Sequence, residues 1–149
     1  MIIPMATPHA RRRRGFTLLE LLVVIIVLAL LAGLVAPQIF GRVSEARSTT
    51  ARTQMALIGT ALDSYRLDNG AYPTTEQGLA ALRTKPTREP IPANWKGPYL
   101  RKDVPLDPWE HPYVYRAPGT RNANGYDLMS LGKDGKEGGS GEDADLIGQ

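Results

Sequence analysis

A single carboxylate lies inside the longest apolar stretch of the chain. Residues 16 to 36, FTLLELLVVIIVLALLAGLVA, contain one charged side chain, that of Glu20. A carboxylate within lipid costs several kcal/mol unless it has a partner, so this residue is a functional candidate by default. Cleavage between Gly15 and Phe16 would create an α-amino group that could pair with Glu20, either in the same chain or in a neighbouring copy. Alternatively, Glu20 reaches the lipid headgroups or is neutral.

A second group of carboxylates lies near the C-terminus, interleaved with glycines. Five acidic residues occupy twelve positions: Asp134, Glu137, Glu142, Asp143 and Asp145. Oxygen ligands on a flexible loop suit Ca²⁺, which accepts about six to eight oxygens in loose geometry. The segment is not an EF-hand loop, because Lys136 occupies its third position and the required Gly and Glu are out of register. From the residues alone, a solvated acidic tail is the favoured interpretation.

The residue inventory argues against an enzyme. The chain has no Cys, which excludes disulfides, Cys-ligated zinc, iron–sulfur clusters and thiol catalysis. Its two histidines, His9 and His111, are too few for a multi-histidine metal site. His111 stands between Glu110 and Pro112 in a predicted turn, with no Ser or Cys nearby to complete a triad. No P-loop occurs in the sequence.

The basic character of the chain belongs to its N-terminus. The net charge is +3, but four of the 18 basic residues are Arg11 to Arg14, and without these four the count is 14 basic against 15 acidic residues. No clustered basic face remains, so nucleic-acid binding is not expected.

The apolar stretch predicts a transmembrane helix. At about 1.5 Å per residue, residues 16 to 36 match a hydrocarbon core of about 30 Å. The cluster at Arg11 to Arg14 predicts that the N-terminus stays cytoplasmic and that the C-terminal part is exported. A cleaved secretory signal is the competing interpretation. The run is longer than the usual apolar region of such a signal, Glu20 interrupts it, and no small-x-small cleavage site follows.

The helical pattern continues beyond Pro37. Apolar residues recur at spacings of three and four in two runs, first at Ile39, Val43 and Ala46 and then at Met55, Ile58, Leu62 and Tyr65. Gly70 is suited to the left-handed position that ends a helix. These signals predict one helix from Phe16 to Asp68, 53 residues or roughly 80 Å long, kinked at Pro37.

The remainder of the chain predicts a small α+β head. Residues 77 to 82 suggest one or two helical turns, and residues 83 to 98 a Pro-rich loop. Residues 113 to 115 and 126 to 131 have the alternation of short strands, and residues 117 to 125 form a hairpin loop between them. Its core is expected to contain the aromatic residues Trp95, Tyr99, Trp109, Tyr113 and Tyr115.

The junction RRRRGFTLLE, residues 11 to 20, resembles the prepilin-type signal of type IV pilins and type II secretion pseudopilins. The resemblance implies cleavage after Gly15 by a prepilin peptidase and N-methylation of Phe16. It also implies that Glu20 pairs with the N-terminus of an adjacent subunit during assembly. Pro37 falls where this family has its helix kink.

Four segments of the head resemble the major pseudopilins, the protein G family of type II secretion. They are DNGAYPTTEQGLAAL, NWKGPYL, DPWEHPYVYRAPG and YDLMSLGKDGKEGG, in the family's order. Glu110-His111 departs from the usual Gly-Asn pair, and the chain ends in DLIGQ rather than with an aromatic residue. The absence of Cys separates it from type IVa major pilins, which close this region with a disulfide.

The resemblance reverses the interpretation of the acidic tail, because major pseudopilins bind a structural calcium there. Asp134 would be the firmest ligand, beside the carbonyl of Leu131. The further ligands would be Asp143, Asp145, and either the carbonyl of Ser140 or the side chain of Glu142.

By resemblance, the expected architecture is type IV pilin-like. It comprises a leader at 1–15, a transmembrane and filament-core helix at 16–36, its amphipathic continuation at 37–69 and a periplasmic α+β head at 70–149.

The expected function is that of a non-enzymatic subunit of a periplasmic pseudopilus, anchored in the inner membrane of a Gram-negative bacterium. Its expected partners are copies of itself, minor pseudopilins, the assembly platform with its ATPase, the prepilin peptidase, the outer-membrane secretin and the exported proteins. A type IV pilus subunit and a monotopic enzyme with a signal anchor are the alternatives.

Overall fold

The computed structural model of the chain describes residues 15–148, with only the backbone of residues 36–40. Of the predicted leader, only Gly15 belongs to the described residues. The side chain of Pro37 lies outside them, and the predicted kink there stays a prediction.

One long helix, α1, spans Leu18–Asn69, 52 residues. Thr17 precedes it as the N-cap, since its hydroxyl Oγ1 accepts a hydrogen bond from the backbone N–H of Glu20 at 3.2 Å. The helix therefore begins two residues later than the predicted start at Phe16. At the other end, Gly70 has φ 82° and donates its N–H to the carbonyl of Arg66 at 2.7 Å. This confirms the left-handed glycine that the sequence predicts at the helix C-terminus.

The chain divides into two compact units, of which the first ends at Phe40 and the second begins at Gly41. In the first unit, Leu18–Val35 has a mean hydropathy of 3.1 and no buried side chain, so it is long and apolar enough to cross a membrane. In the second unit, the helical residues from 41 to 69 group with the head. This head-side part of α1 forms one side of the head's core.

The head contains a three-stranded antiparallel sheet in the order β1-β2-β3. The strands are β1 at Val114–Arg116, β2 at Asp127–Ser130 and β3 at Leu146–Ile147. Val114 pairs with Met129, which in turn pairs with Ile147. The predicted positions of the first two strands and of the hairpin loop are confirmed. Strand β3, however, lies in a region that we predicted to be an acidic tail. Two 3₁₀ turns, Leu79–Leu82 and Gly141–Asp143, complete the regular structure of the described residues.

The core of the head lies between α1 and the sheet. Met55, Ile58, Leu62 and Tyr65 are buried on one face of the helix and share a cluster with Leu128 of β2. Two of the predicted core aromatics, Tyr113 and Tyr115, are buried, whereas Trp95, Tyr99 and Trp109 are partly buried against the same cluster. The apolar residues Val43 and Ala46 of the same predicted periodicity are exposed. The buried face of the helix therefore begins only at Ala51.

Tyrosine hydroxyls connect the sheet side of the head to α1 and to the segment that follows it. Tyr113 donates to Oε1 of Gln54 at 2.5 Å, and Tyr115 donates to the carbonyl of Pro73 at 2.8 Å. Burial, with a smaller contribution from Asp107, raises the pKa of Tyr113 to about 12. Burial also raises the pKa of Tyr115, so both tyrosines stay neutral hydrogen-bond donors throughout the physiological range.

Candidate functional site

The residues of the predicted cleavage and assembly site lie together at the start of α1. Gly15, Phe16, Thr17 and Glu20 line one cavity of about 420 Å³. Phe16 is 77% exposed, and the Glu20 side chain is exposed one turn into the helix. A carboxylate in the first helical turn also interacts favourably with the helix dipole. The structure thus brings the predicted cleavage site, the peptide between Gly15 and Phe16, and the candidate carboxylate of Glu20 to one surface.

An exposed stripe on the head-side part of α1 was not anticipated from the sequence. It contains eight uncharged residues separated alternately by three and four positions: Val43, Ala46, Thr50, Thr53, Leu57, Thr60, Ser64 and Leu67. All eight are exposed, and Leu57 and Leu67 are 62% and 87% exposed. We call this set the uncharged stripe. Alternating spacing of this kind is the pattern of a helix seam that packs against another surface.

The hydroxyl groups of the uncharged stripe are already satisfied within the helix. Thr50 donates to the carbonyl of Ala46 at 2.9 Å, and Thr60 donates to that of Ala56 at 3.0 Å. Thr53 and Ser64 form the same bond to the residue four positions earlier. These side chains can therefore be covered by a partner without leaving an unpaired donor.

Two segments of the C-terminal tail are held against each other by backbone contacts. Lys133 donates its N–H to the carbonyl of Glu142 at 2.9 Å. Gly132 has φ 66°, and a Cβ placed there would lie 2.9 Å from the carbonyl oxygen of Ala144. The tail therefore folds back so that residues 131–134 lie beside residues 142–144. These two segments contain most of the predicted calcium ligands.

The predicted ligands differ in the hydrogen bonds that they already accept. Asp134 is exposed, and its Oδ1 accepts the N–H of Lys136 at 3.1 Å. Asp145 accepts the N–H of Gly138 through Oδ2 at 2.9 Å, while its Oδ1 is buried with no hydrogen-bond partner among the described residues. A buried unpaired carboxylate oxygen costs free energy, and a cation would satisfy it.

Glu142 has a different environment from the other tail carboxylates. It forms an ion pair with the ammonium of Lys133 at 3.0 Å. A hydrogen bond from Lys133 lowers the pKa of Glu142, with smaller contributions from Ser44 and Arg47 on α1. Its charge is therefore already balanced by cationic side chains, which makes it the least suitable of the predicted metal ligands.

The tail offers oxygen atoms of the kind that bind calcium. Ser140 offers a carbonyl oxygen, which accepts the N–H of Asp143 at 3.2 Å, and Leu131 offers another backbone oxygen. Within residues 15–148, no group of three or more His, Asp or Glu side chains is placed to hold a metal on its own. A calcium site here thus needs backbone carbonyls beside carboxylates, the mixture that Ca²⁺ accepts.

A buried carboxylate that the sequence did not single out organises the turn before β1. Asp107 is 3% exposed, and its Oδ1 accepts the N–H groups of Trp109 and His111 at 3.0 and 2.8 Å. Its Oδ2 accepts the hydroxyl of Ser130 at 2.5 Å. The predicted turn at Glu110 and His111 is confirmed, and Glu110 adopts φ 70° within it. Asp107 could not be recognised from the sequence because Ser130 is 23 positions away.

Comparison with known proteins gives consistent matches over most of the sequence. Residues 38–149 match the family model described as Type II secretion system (T2SS), protein G, and residues 10–36 match a prokaryotic N-terminal methylation motif. The chain is 53% identical to the type II secretion system core protein G of Pseudomonas aeruginosa, covering 91% of this chain and 94% of that protein. It is 45% identical to the core protein G of Vibrio cholerae, covering 91% of each.

A solved structure agrees with these relatives. The crystal structure of the major pseudopilin from the type 2 secretion system of enterohaemorrhagic Escherichia coli superposes with a TM-score of 0.63 at 37% identity. The match covers 72% of this chain and 90% of that chain.

Proposed function

The chain belongs to the protein G family of type II secretion systems, the major pseudopilins, and from this premise we propose that it polymerises from the inner membrane into a periplasmic pseudopilus. In this role the growing polymer pushes folded proteins through an outer-membrane secretin. The observation that carries the proposal is the exposed apolar segment Leu18–Val35 with a single carboxylate, Glu20, in its first turn.

The apolar segment can leave lipid only if copies of it bury one another. That transfer is nearly neutral in hydrophobic free energy, because lipid and a packed filament core are both apolar. The pairing of Glu20 then selects how neighbouring helices align. In lipid the Glu20 carboxylate has no partner, whereas in the filament it pairs with the N-terminal amine of Phe16 from a neighbouring copy. A head-to-tail contact of this kind does not close on itself and generates a helical filament.

The uncharged stripe supports contact between neighbouring copies on the head side as well. It presents Leu57 and Leu67 to solvent, and its hydroxyls are internally satisfied. A monomer gains nothing from such a surface, whereas a polymer covers it. We assign the stripe to a contact between copies in the filament.

Maturation of the N-terminus precedes assembly. We propose that a prepilin peptidase removes residues 1 to 15 and methylates Phe16, in keeping with the methylation motif that residues 10–36 match. Cleavage exposes the amine that Glu20 pairs with. The protein itself then acts as a structural subunit without an enzymatic activity of its own.

The proposed topology places Arg11 to Arg14 in the cytoplasm and the head in the periplasm. The partners that follow are minor pseudopilins, an inner-membrane assembly platform with its ATPase, the secretin and the exported proteins. The similar proteins from Pseudomonas aeruginosa and enterohaemorrhagic Escherichia coli are type II secretion proteins, so they do not support the alternative of a surface type IV pilus subunit.

We further propose that a structural Ca²⁺ closes the tail of the head. Its ligands would be the carbonyls of Leu131 and Ser140 with the carboxylates of Asp134, Asp143 and Asp145, while Glu142 stays paired with Lys133. When bound, the cation supplies charge compensation for these carboxylates and fixes a segment that has no Cys to cross-link it.

Complementation tests the proposed secretion function. A bacterium that lacks its own protein G regains export of a folded substrate when it expresses this chain, and cell fractionation finds the polymer spanning the periplasm. Restored surface fibres without restored export would contradict the proposal.

Thermal unfolding of the detergent-solubilised chain, with calcium or with chelator, tests the proposed calcium site. A melting temperature that does not respond to calcium would contradict that site.

A further inference from the structure

His111 contacts the tail loop through both its ring and its backbone. Its Nδ1 lies 3.0 Å from the carbonyl oxygen of Gly132. Because a carbonyl only accepts hydrogen bonds, Nδ1 carries the proton and donates it. The ring also lies over Gly135, where an added Cβ would be 3.2 Å from both Cε1 and Nε2. The imidazole thus touches the two glycines that flank the segment Lys133–Asp134.

A closed circuit of hydrogen bonds holds His111 in place. Asp107 Oδ1 accepts the N–H of His111, and Asp107 Oδ2 accepts the hydroxyl of Ser130. Ser130 Oγ in turn accepts the N–H of Gly132 at 3.3 Å. The carbonyl of Gly132 then returns to His111, so both backbone polar groups of Gly132 are engaged by side chains. The loop therefore leaves β2 in one orientation.

The predicted metal ligands stand directly beside the two held glycines. Leu131 precedes Gly132, and Asp134 precedes Gly135. The position of the Leu131 carbonyl depends on the peptide that Gly132 anchors, and the position of Asp134 depends on how closely Gly135 approaches the imidazole. His111 itself is not a proposed ligand, because Ca²⁺ is coordinated by oxygen atoms and the imidazole offers only nitrogen.

We propose that His111 is a positioning residue for the calcium site, which preorganises the Leu131 carbonyl and the Asp134 carboxylate before the ion binds. This inference rests on the calcium site proposed above. A residue that orients ligands without touching the metal typically contributes 10-fold to 100-fold in affinity, so we expect its loss to weaken calcium binding by about 10-fold or more.

The matched substitutions are His111→Asn and His111→Leu. Both side chains branch at Cγ and have similar size, but only asparagine carries an N–H donor at the δ position, where histidine has Nδ1. If the bond to Gly132 is what matters, His111→Asn keeps it and His111→Leu loses it. Both variants relieve the ring contact with Gly135 equally, so that contact cannot account for a difference between them.

The experiment measures the calcium dissociation constant of the full chain in detergent by titration calorimetry, for wild type, both His111 variants and Asp134→Ala. The melting temperature in chelator is recorded for each. We expect binding by wild type, loss of binding in Asp134→Ala, about 10-fold weaker binding in His111→Leu, and binding within about threefold of wild type in His111→Asn. Equal affinities for the Asn and Leu variants would overturn the positioning role, even if both lower the melting temperature in chelator. If wild type binds no calcium, the proposed site itself fails, and the inference fails with it.

Discussion

The hydroxyl oxygen of Thr17 accepts a hydrogen bond from the backbone N–H of Glu20 at 3.2 Å, which fixes Glu20 at the third position of α1. Thr at the N-cap with Glu at this position is the arrangement of a capping box. Glu20 thus has a local reason to occur here, in addition to the proposed pairing with a neighbouring subunit. The two roles differ in their requirement, because capping needs only a hydrogen-bond acceptor, whereas pairing with an amine needs a negative charge.

Gly15→Leu is expected to leave the leader attached. The proposed peptidase cuts after Gly15, and a branched side chain at the scissile bond obstructs it. Gly33→Leu is the control, since a Cβ meets no atom within 4 Å at either glycine, so neither substitution disturbs the described structure. Intact-mass measurement on membrane-purified protein should give residues 16–149 plus one methyl group for wild type and for Gly33→Leu. The same mature mass for Gly15→Leu would contradict the cleavage site.

Leu57→Glu is expected to abolish filaments while the head stays folded. Leu57 is 62% exposed at the middle of the uncharged stripe, so a charge there costs the monomer less than about 0.5 kcal/mol. In a filament the same carboxylate would be buried without a partner, at a cost of several kcal/mol. Thr87→Glu, at an exposed loop position, is the matched control. Normal filament counts by electron microscopy for Leu57→Glu would remove the stripe from the interface.

Glu110→Gly is expected to raise the free energy of unfolding by about 1 kcal/mol. Glu110 has φ 70°, a backbone conformation that is costly for a residue with a Cβ and cheap for glycine. Its N–H donates to the carbonyl of Asp107 at 2.9 Å, which keeps it in this conformation. Glu110→Ala removes the same carboxylate but retains the Cβ, and urea unfolding should show little gain for it. A gain as large as that of glycine would point to charge removal instead of backbone strain.

Acidification is expected to remove the stabilisation that Asp127 gives to the hairpin. Its pKa lies below the ordinary value, chiefly because the carboxylate accepts the hydroxyl of Thr120, and also because it accepts the N–H groups of Arg121 and Thr120. The folded state therefore holds the proton less tightly than the unfolded state. The stabilisation is fully present above the unfolded pKa of about 4 and is lost as the pH falls through the lower folded value.

The test compares urea unfolding of wild type and Asp127→Asn at neutral and acidic pH. At pH near 7, Asp127→Asn should cost about 1 to 2 kcal/mol, because hydrogen bonds to a charged acceptor are lost. The difference should shrink as the pH falls below about 4. Glu76→Gln, which removes one carboxylate at an exposed position, is the matched control. A difference between wild type and Asp127→Asn that is constant with pH would refute the assignment.

The sequence predicted the long helix, its glycine end and the hairpin because these depend on local signals. Gly70 marks the end of α1 through its own backbone freedom, and the alternation around Tyr115 marks a strand. The helix face was harder to predict, because two seams with spacings of three and four run along the same helix. Val43 and Ala46 belong to the exposed seam, and only the packing of the head on Ile58 and Leu62 distinguishes the two.

The features that the sequence did not predict depend on partners far along the chain. Strand β3 at Leu146–Ile147 has two residues, too few for any alternation, and exists because β2 pairs with it. The burial of Asp107 depends on Ser130, and the position of His111 depends on Gly132. Each of these contacts joins segments more than 15 residues apart, and no local pattern encodes them.

The most direct test of the account compares filament formation by wild type, Glu20→Gln and Thr17→Ala. The proteins are expressed with the peptidase, assembly platform and ATPase of a type II secretion system, and sheared filaments are counted by electron microscopy. Glutamine keeps a hydrogen-bond acceptor at the third helical position but removes the charge, whereas Thr17→Ala removes the cap and keeps the charge. We expect that Glu20→Gln inserts in the membrane, is processed and forms no filaments, while Thr17→Ala still polymerises. Filaments of wild-type number from Glu20→Gln would contradict the pairing of Glu20 with a neighbouring Phe16 amine.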